Sequence, residues 1–124
     1  MKSFVVILAV LAIGLAVRAQ NPTTEYFRGR WNILCKGTPQ GDAKMVFKLE
    51  KVSDTLTGVV LDTAGVEISK MSKIEQKDNS ITVYFTAQGY DVNVALTKKD
   101  DNHVTGSLMA MFDVEGERIK ELLQ

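Results

Sequence analysis

The sequence predicts an all-β fold, an eight-stranded antiparallel up-and-down meander closing into a barrel. Apolar and polar residues alternate with a period of two from Arg30 nearly to the end of the chain, in runs bounded by short polar turns. One hairpin design recurs: Leu49 to Lys51, a turn at Asp54 and Thr57-Gly58 are echoed by Leu96 to Lys98, Asp100-Asp101 and Thr105-Gly106, and Gly65 to Ile68 is echoed by Gly116 to Ile119. A glycine inside a strand marks a bend or a close approach of backbones, so the echo reads as a barrel corner used once in each half. The single cysteine, Cys35, leaves no disulfide to staple the domain, so packing and sheet closure must stabilise it.

Residues 1–19 are set aside as a cleavable secretory leader. Lys2 supplies the positive end, Phe4 to Val17 form an apolar run, and Val17-Arg18-Ala19 suits a leader peptidase, so the expected cut follows Ala19. The run is shorter than the roughly 20 residues of a membrane helix, and no membrane anchor is expected after cleavage. The destination is the periplasm or the extracellular space. The mature chain is expected to comprise an N-terminal arm over 20–28 and one barrel domain over 29–124. Loss of Lys2 and Arg18 leaves a small acidic excess with no charge block, which argues against a nucleic-acid surface or a polybasic membrane patch.

The first strand is Arg30 to Lys36, with Trp31, Ile33 and Cys35 on one face; "GTPQGD" follows as a loop. The second, residues 43–52, alternates Met45, Phe47 and Leu49 against Lys44, Lys48 and Glu50, and turns at Ser53-Asp54. Residues 55–62 and 66–76 form the third and fourth, joined through Thr63-Ala64-Gly65; Lys70 and Ser72 break the alternation, so the fourth is expected to bend, bulge or run along an edge. The fifth, Ile81 to Ala87, is the cleanest, and the sixth, Val92 to Lys98, repeats it. The seventh runs from His103 to Phe112 and is apolar at every position from Leu108, so both its faces call for burial and Met109, Met111 and Phe112 are candidate interface residues. The eighth begins at Val114, and the spacing of Ile119, Leu122 and Leu123 predicts a short C-terminal helical turn packed outside.

Catalytic chemistry is not evident. His103 lies beside a polar turn, Cys35 lies on a strand and reads as a buried small hydrophobe, and no Gly-x-Ser-x-Gly elbow occurs. Asp62, Asp91, Asp113, Glu115 and Glu117 sit at strand ends or turns, where solvated charge is the plain reading. No catalytic residue, metal site or cofactor is expected.

Gly29-Arg30-Trp31 at the head of the first strand, the eight-strand meander and the C-terminal turn together resemble the calycin superfamily, the lipocalin and avidin type of barrel, and small secreted bacterial β domains. In lipocalins the tryptophan of Gly-x-Trp closes one barrel end, and the resemblance implies that role for Trp31. The remaining lipocalin signature segments are not evident, and the chain is short for that family.

The expected inward set is Trp31, Ile33, Cys35, Met45, Phe47, Leu49, Ile81, Val83, Phe85, Val92, Val94, Leu96 and Leu108. It carries no charge, so a ligand lined by it would be small and apolar, held at about 25 cal/mol per Å² removed from water. The first expectation is therefore a secreted, non-enzymatic, lipocalin-like barrel that binds a small hydrophobic ligand inside. The alternative is a filled barrel acting through its outside as an accessory or protein-interaction module for a secreted protein or hydrolase. A sealed interior favours the second, an open apolar cavity the first.

Overall fold

Alternation becomes strand wherever the sequence shows it. The computed structural model describes residues 22–120, with one short helix, α1 (Pro22–Phe27), ahead of nine strands: β1 (Gly29–Thr38), β2 (Gly41–Val52), β3 (Thr55–Leu61), β4 (Glu67–Lys70), β5 (Lys73–Lys77), β6 (Ser80–Ala87), β7 (Tyr90–Asp100), β8 (His103–Leu108) and β9 (Phe112–Arg118). They form one antiparallel sheet in the order β4-β3-β2-β1-β9-β8-β7-β6-β5. Consecutive strands pair with one another except β4 and β5, and the first and last pair through Trp31–Arg118, Ile33–Gly116 and Cys35–Val114. The sheet curls round its core, so that Phe47 of β2 and Phe85 of β6 meet edge to face with centroids 5.9 Å apart.

Four expectations are corrected. The strands number nine, because the expected fourth strand breaks at Met71-Ser72: the Met71 N–H donates to Gly58 O of β3, whereas the next N–H, from Ser72, donates to Tyr84 O of β6. Its halves therefore pair with different neighbours. The sheet is consequently not closed by a continuous ladder, since β4 and β5 are its two ends, joined through that bend. The expected seventh strand ends at Leu108; Met109–Met111 form a turn, with the Met111 N–H donating to Leu108 O at 2.9 Å. The two-face burial inferred for it dissolves, because consecutive apolar residues here turn a corner. Finally, Glu117 and Arg118 belong to β9 and Ile119-Lys120 are not helical, so the helical turn expected there is absent as far as residue 120. Its remainder, residues 121–124, lies outside the described residues, as does the leader expected over 1–19.

The helix that packs on the barrel is N-terminal. Proline opens α1, where its missing N–H costs nothing, and Thr23, Thr24 and Phe27 are buried beneath it. The barrel end it covers is tied down by polar bonds. Thr23 donates its hydroxyl to Asp78 O, Gln76 Nε2 donates to Thr24 Oγ1 at 2.8 Å, and Lys51 Nζ donates to Glu25 Oε2 at 2.9 Å. Trp31, fully buried, donates Nε1–H to Phe27 O at 3.0 Å. Over its ring, 4.3 Å from the centroid, lies the Arg118 guanidinium, which donates to the carbonyls of Tyr26, Arg28 and Asp101. Tyr26 donates to the carbonyls of Asp100 and His103; burial, reinforced by Asp100 and Asp101 and opposed by Arg118, raises its pKa and keeps it the neutral donor. Trp31 thus sits as the plug of one barrel end.

The hairpin echo acquires a cause in part. Gly58 and Gly106 point inward where strands approach too closely for any side chain: a Cβ on Gly106 would lie 1.7 Å from Ala95 O, and one on Gly58 2.7 Å from Lys48 O. Both allow a corner, as their shared place predicts. The Gly65 and Gly116 correspondence does not survive. Gly65 sits exposed in a loop at φ +89°, whereas Gly116 is buried in mid-strand.

Candidate functional site: the mouth of the barrel

Ten of the thirteen expected inward residues are buried: Trp31, Ile33, Cys35, Phe47, Leu49, Ile81, Val83, Phe85, Val94 and Leu96, none more than 4% exposed. A side chain lining a cavity with room for water would retain accessible surface, so these residues fill the interior instead of lining a void. Met45, Val92 and Leu108 are half-buried and lie toward the end opposite α1. The sequence reading missed Phe27, Leu56, Val60, Met71, Val104 and Val114 as core. Strand parity would have supplied Leu56, Val60, Val104 and Val114, each in phase with an inward glycine.

The four turns at the end opposite α1 surround a mouth: Gly37–Asp42, Leu61–Glu67, Ala87–Asp91 and Leu108–Asp113. On the inward face there, Ala43, Met45, Ala87, Val92, Leu108 and Phe112 are half-buried, and register sets Leu108 beside Phe112, Val92 beside Phe85, Ala87 beside Tyr90, Ala43 beside Cys35 and Met45 beside Ile33. Around the rim, Val66, Ile68, Tyr90, Met109 and Met111 are exposed; of the large exposed hydrophobics among the described residues, only Val52 lies at the other end. Of the candidate interface residues, Met111 stands at the turn tip, 70% exposed, and Phe112 shares the inward parity of β9. Met109 folds back over β7, its sulfur accepting from the Asn93 backbone and side-chain N–H groups at 3.3 and 3.5 Å.

The turn carrying these methionines departs from turn chemistry. Met109 and Ala110, the central residues of the turn closed by the Met111 N–H on Leu108 O, have φ of 54° and 58°, both left-handed, where asparagine and glycine are favoured. Such strain persists where the surrounding structure over-determines it, and it collects at sites of function.

The other candidates do not assemble. Cys35 points into the core and His103 lies outside at the opposite end of β9's partners, pairing Cys35–Val114 and His103–Glu117 respectively. Burial pushes the Cys35 thiol pKa up, so it is held protonated and poorly nucleophilic. His103 Nδ1 lies 2.8 Å from Asp100 Oδ1. The carboxylates divide: Asp62, Asp91 and Asp113 stand at the mouth, Glu115 bonds Lys36 at 2.7 Å, and Glu117 lies 3.7 Å from His103. Among the described residues no three His, Cys, Asp or Glu side chains are placed to hold a metal ion. The groove of about 680 Å³ beside α1 is walled by Arg28, Lys48, Lys51 and Arg118. Arg28 and Lys51 pair with Glu25, Lys48 pairs with Glu50 and Arg118 caps carbonyls; Arg30 also lines the groove.

No protein-family model and no curated protein matches the chain. Among solved structures it is similar to a redesigned β-barrel, with a TM-score of 0.56 at 15% identity over 80% of this chain and 96% of that one. It is also similar to a de novo designed fluorescence-activating β-barrel, with a TM-score of 0.51 at 13% identity over 81% of this chain and the whole of that one. At that identity the likeness defines the fold alone: an all-β, up-and-down, barrel-like antiparallel sheet.

Proposed function

We propose that this protein is a secreted or periplasmic, non-enzymatic, filled β-barrel that binds a protein partner through the apolar rim of its mouth, as an accessory or interaction module. The observation that carries the reading is the segregation of exposed apolar side chains: Val66, Ile68, Tyr90, Met109 and Met111 gather at one end while α1 seals the other. Exposed apolar groups gathered at one place mark contact surfaces, and methionine adapts to irregular ones. The strained Met109-Ala110 corner supports it, since turn stability is forgone where the methionines are displayed.

A small hydrophobic ligand, in the manner of a lipocalin, is the second reading. Half-buried Met45, Val92 and Leu108 favour it, and they confine such a ligand to the shallow mouth, above Phe47 and Phe85. A photo-crosslinking residue at position 111, compared with one at position 79 beside α1, tests the first reading in the protein's own compartment. A discrete protein adduct from position 111 alone is expected; equal labelling at both ends, or none, would overturn it.

A further inference from the structure

The groove beside α1, at the end opposite the rim, gathers charge that the sequence scatters. Its walls carry Arg28, Arg30, Lys48, Lys51 and Arg118 and one carboxylate, Glu50. Three separate stretches of chain supply these cations, so no basic block marks them in the sequence. Register on the β1–β2 ladder sets Arg30 directly opposite Lys48, and like charges so placed destabilise a sheet.

The neighbouring carboxylates do not balance the set. Glu25 is shared, accepting from Lys51 at 2.9 Å and lying 3.4 Å from Arg28; Glu50 lies 3.8 Å from Lys48 and Asp54 3.7 Å from Lys51. Carbonyls take the N–H groups of Arg118 but leave its charge. The adjoining hollow adds Lys70 and Glu67, and the sequence beyond Ile119 adds Lys120 and Glu121, one charge of each sign in both cases. The turn that Arg118 reaches, Lys98 to Asp101, carries two of each, and Glu117 lies 3.7 Å from His103. Five lining cations thus stand against three carboxylates of their own, Glu25, Glu50 and Asp54.

From this geometry we infer that the groove binds a small molecule bearing at least two phosphate charges, with Arg28 and Arg30 as planar forks on either side of Gly29 and Lys48 and Lys51 as ammonium contacts. A guanidinium matches two phosphate oxygens at once, and an ammonium meets a third as a point charge. The volume of about 680 Å³ falls in the range of roughly 300–1,000 Å³ usual for small-ligand sites. This site is independent of the rim, which lies at the other barrel end.

Calorimetric titration of protein made from the full-length sequence with inorganic pyrophosphate, at an ionic strength fixed by sodium chloride, tests the inference. One saturable site is expected, weakened about tenfold or more by Arg30→Gln/Lys48→Gln. Lys44→Gln/Lys77→Gln removes the same charge from exposed positions outside the groove, and its affinity is expected to stay within about twofold. An unchanged near-ultraviolet signal from Trp31 verifies the fold of both proteins. Absence of saturable heat, full affinity in the Arg30/Lys48 variant, or equal loss in the two variants would each overturn the site. Phosphatidylglycerol and phosphatidylcholine vesicles separate the sources of the phosphate. Sedimentation with the first alone, lost in the Arg30/Lys48 variant, would place it on a lipid headgroup, whereas pyrophosphate binding without sedimentation would place it on a soluble ligand.

Discussion

Met109 and Ala110 hold left-handed backbone that neither side chain favours, at about 1 kcal/mol each. Replacing them as Met109→Asn/Ala110→Gly is expected to raise stability by about 1–2 kcal/mol, read as an upward shift of several degrees in thermal midpoint. A midpoint that stays or falls would mean that the methionine contact with Asn93 outweighs the strain. Gly106 sets the opposite case. Its missing Cβ is required by Ala95 O, so Gly106→Ala is expected to cost about 3 kcal/mol or more in denaturant unfolding, a loss that a conformational account of this glycine, whose φ is not positive, does not predict. Arg118 has the third decisive side chain, and Arg118→Leu should cost about 2 kcal/mol by leaving carbonyls of Tyr26, Arg28 and Asp101 without their donor.

At the scale of elements, the strands and turns were legible because period-two alternation reports one-sided burial directly. Ser53-Asp54, Lys77 to Ser80 and Gln88-Gly89 turn where polar residues cluster. The helix was not legible, since six residues cannot display a period and Thr23-Thr24 reads as loop. Nor was Arg118, a charge in inward register that makes sense only once α1 supplies carbonyls above Trp31. The dock of α1 also sets a pH dependence. Glu25 is held below its ordinary range chiefly by the Lys51 hydrogen bond, and Asp100 chiefly by the Asn102 N–H and then by His103. A carboxylate whose folded pKa lies below its unfolded one stabilises the fold above the unfolded value and loses that contribution as pH falls through the folded one. Acidification below the ordinary carboxylate range should therefore loosen α1 before the strands, seen as a change in Trp31 emission, and Glu25→Gln should remove part of that dependence. Emission that changes only together with global unfolding would contradict it.

For the whole molecule, the sequence showed a curled meander, and Lys70 and Ser72 marked where it would bend. It could not show that the bend divides one strand between two partners, because alternation reports faces and not neighbours. The break has a dynamic consequence. Amides of β4, an end strand of four residues, should exchange faster than those of the β1–β9 seam, and uniform protection around the sheet would mean that its ends are bonded in solution. The candidate site was half legible: Met109, Met111 and Phe112 were singled out as apolar residues in want of cover, whereas the five carboxylates read together as solvated charge, Asp62, Asp91, Asp113, Glu115 and Glu117, are divided by the fold, with Glu115 on Lys36 and Glu117 near His103. The filled interior is the claim from which the rim reading follows. Native mass spectrometry of the protein taken from its own compartment, before and after organic extraction, tests it most directly. The expected result is the polypeptide mass, alone or with a protein partner, unchanged by extraction; a small apolar molecule that leaves on extraction would contradict a protein-docking rim over a filled interior and turn the function to ligand binding.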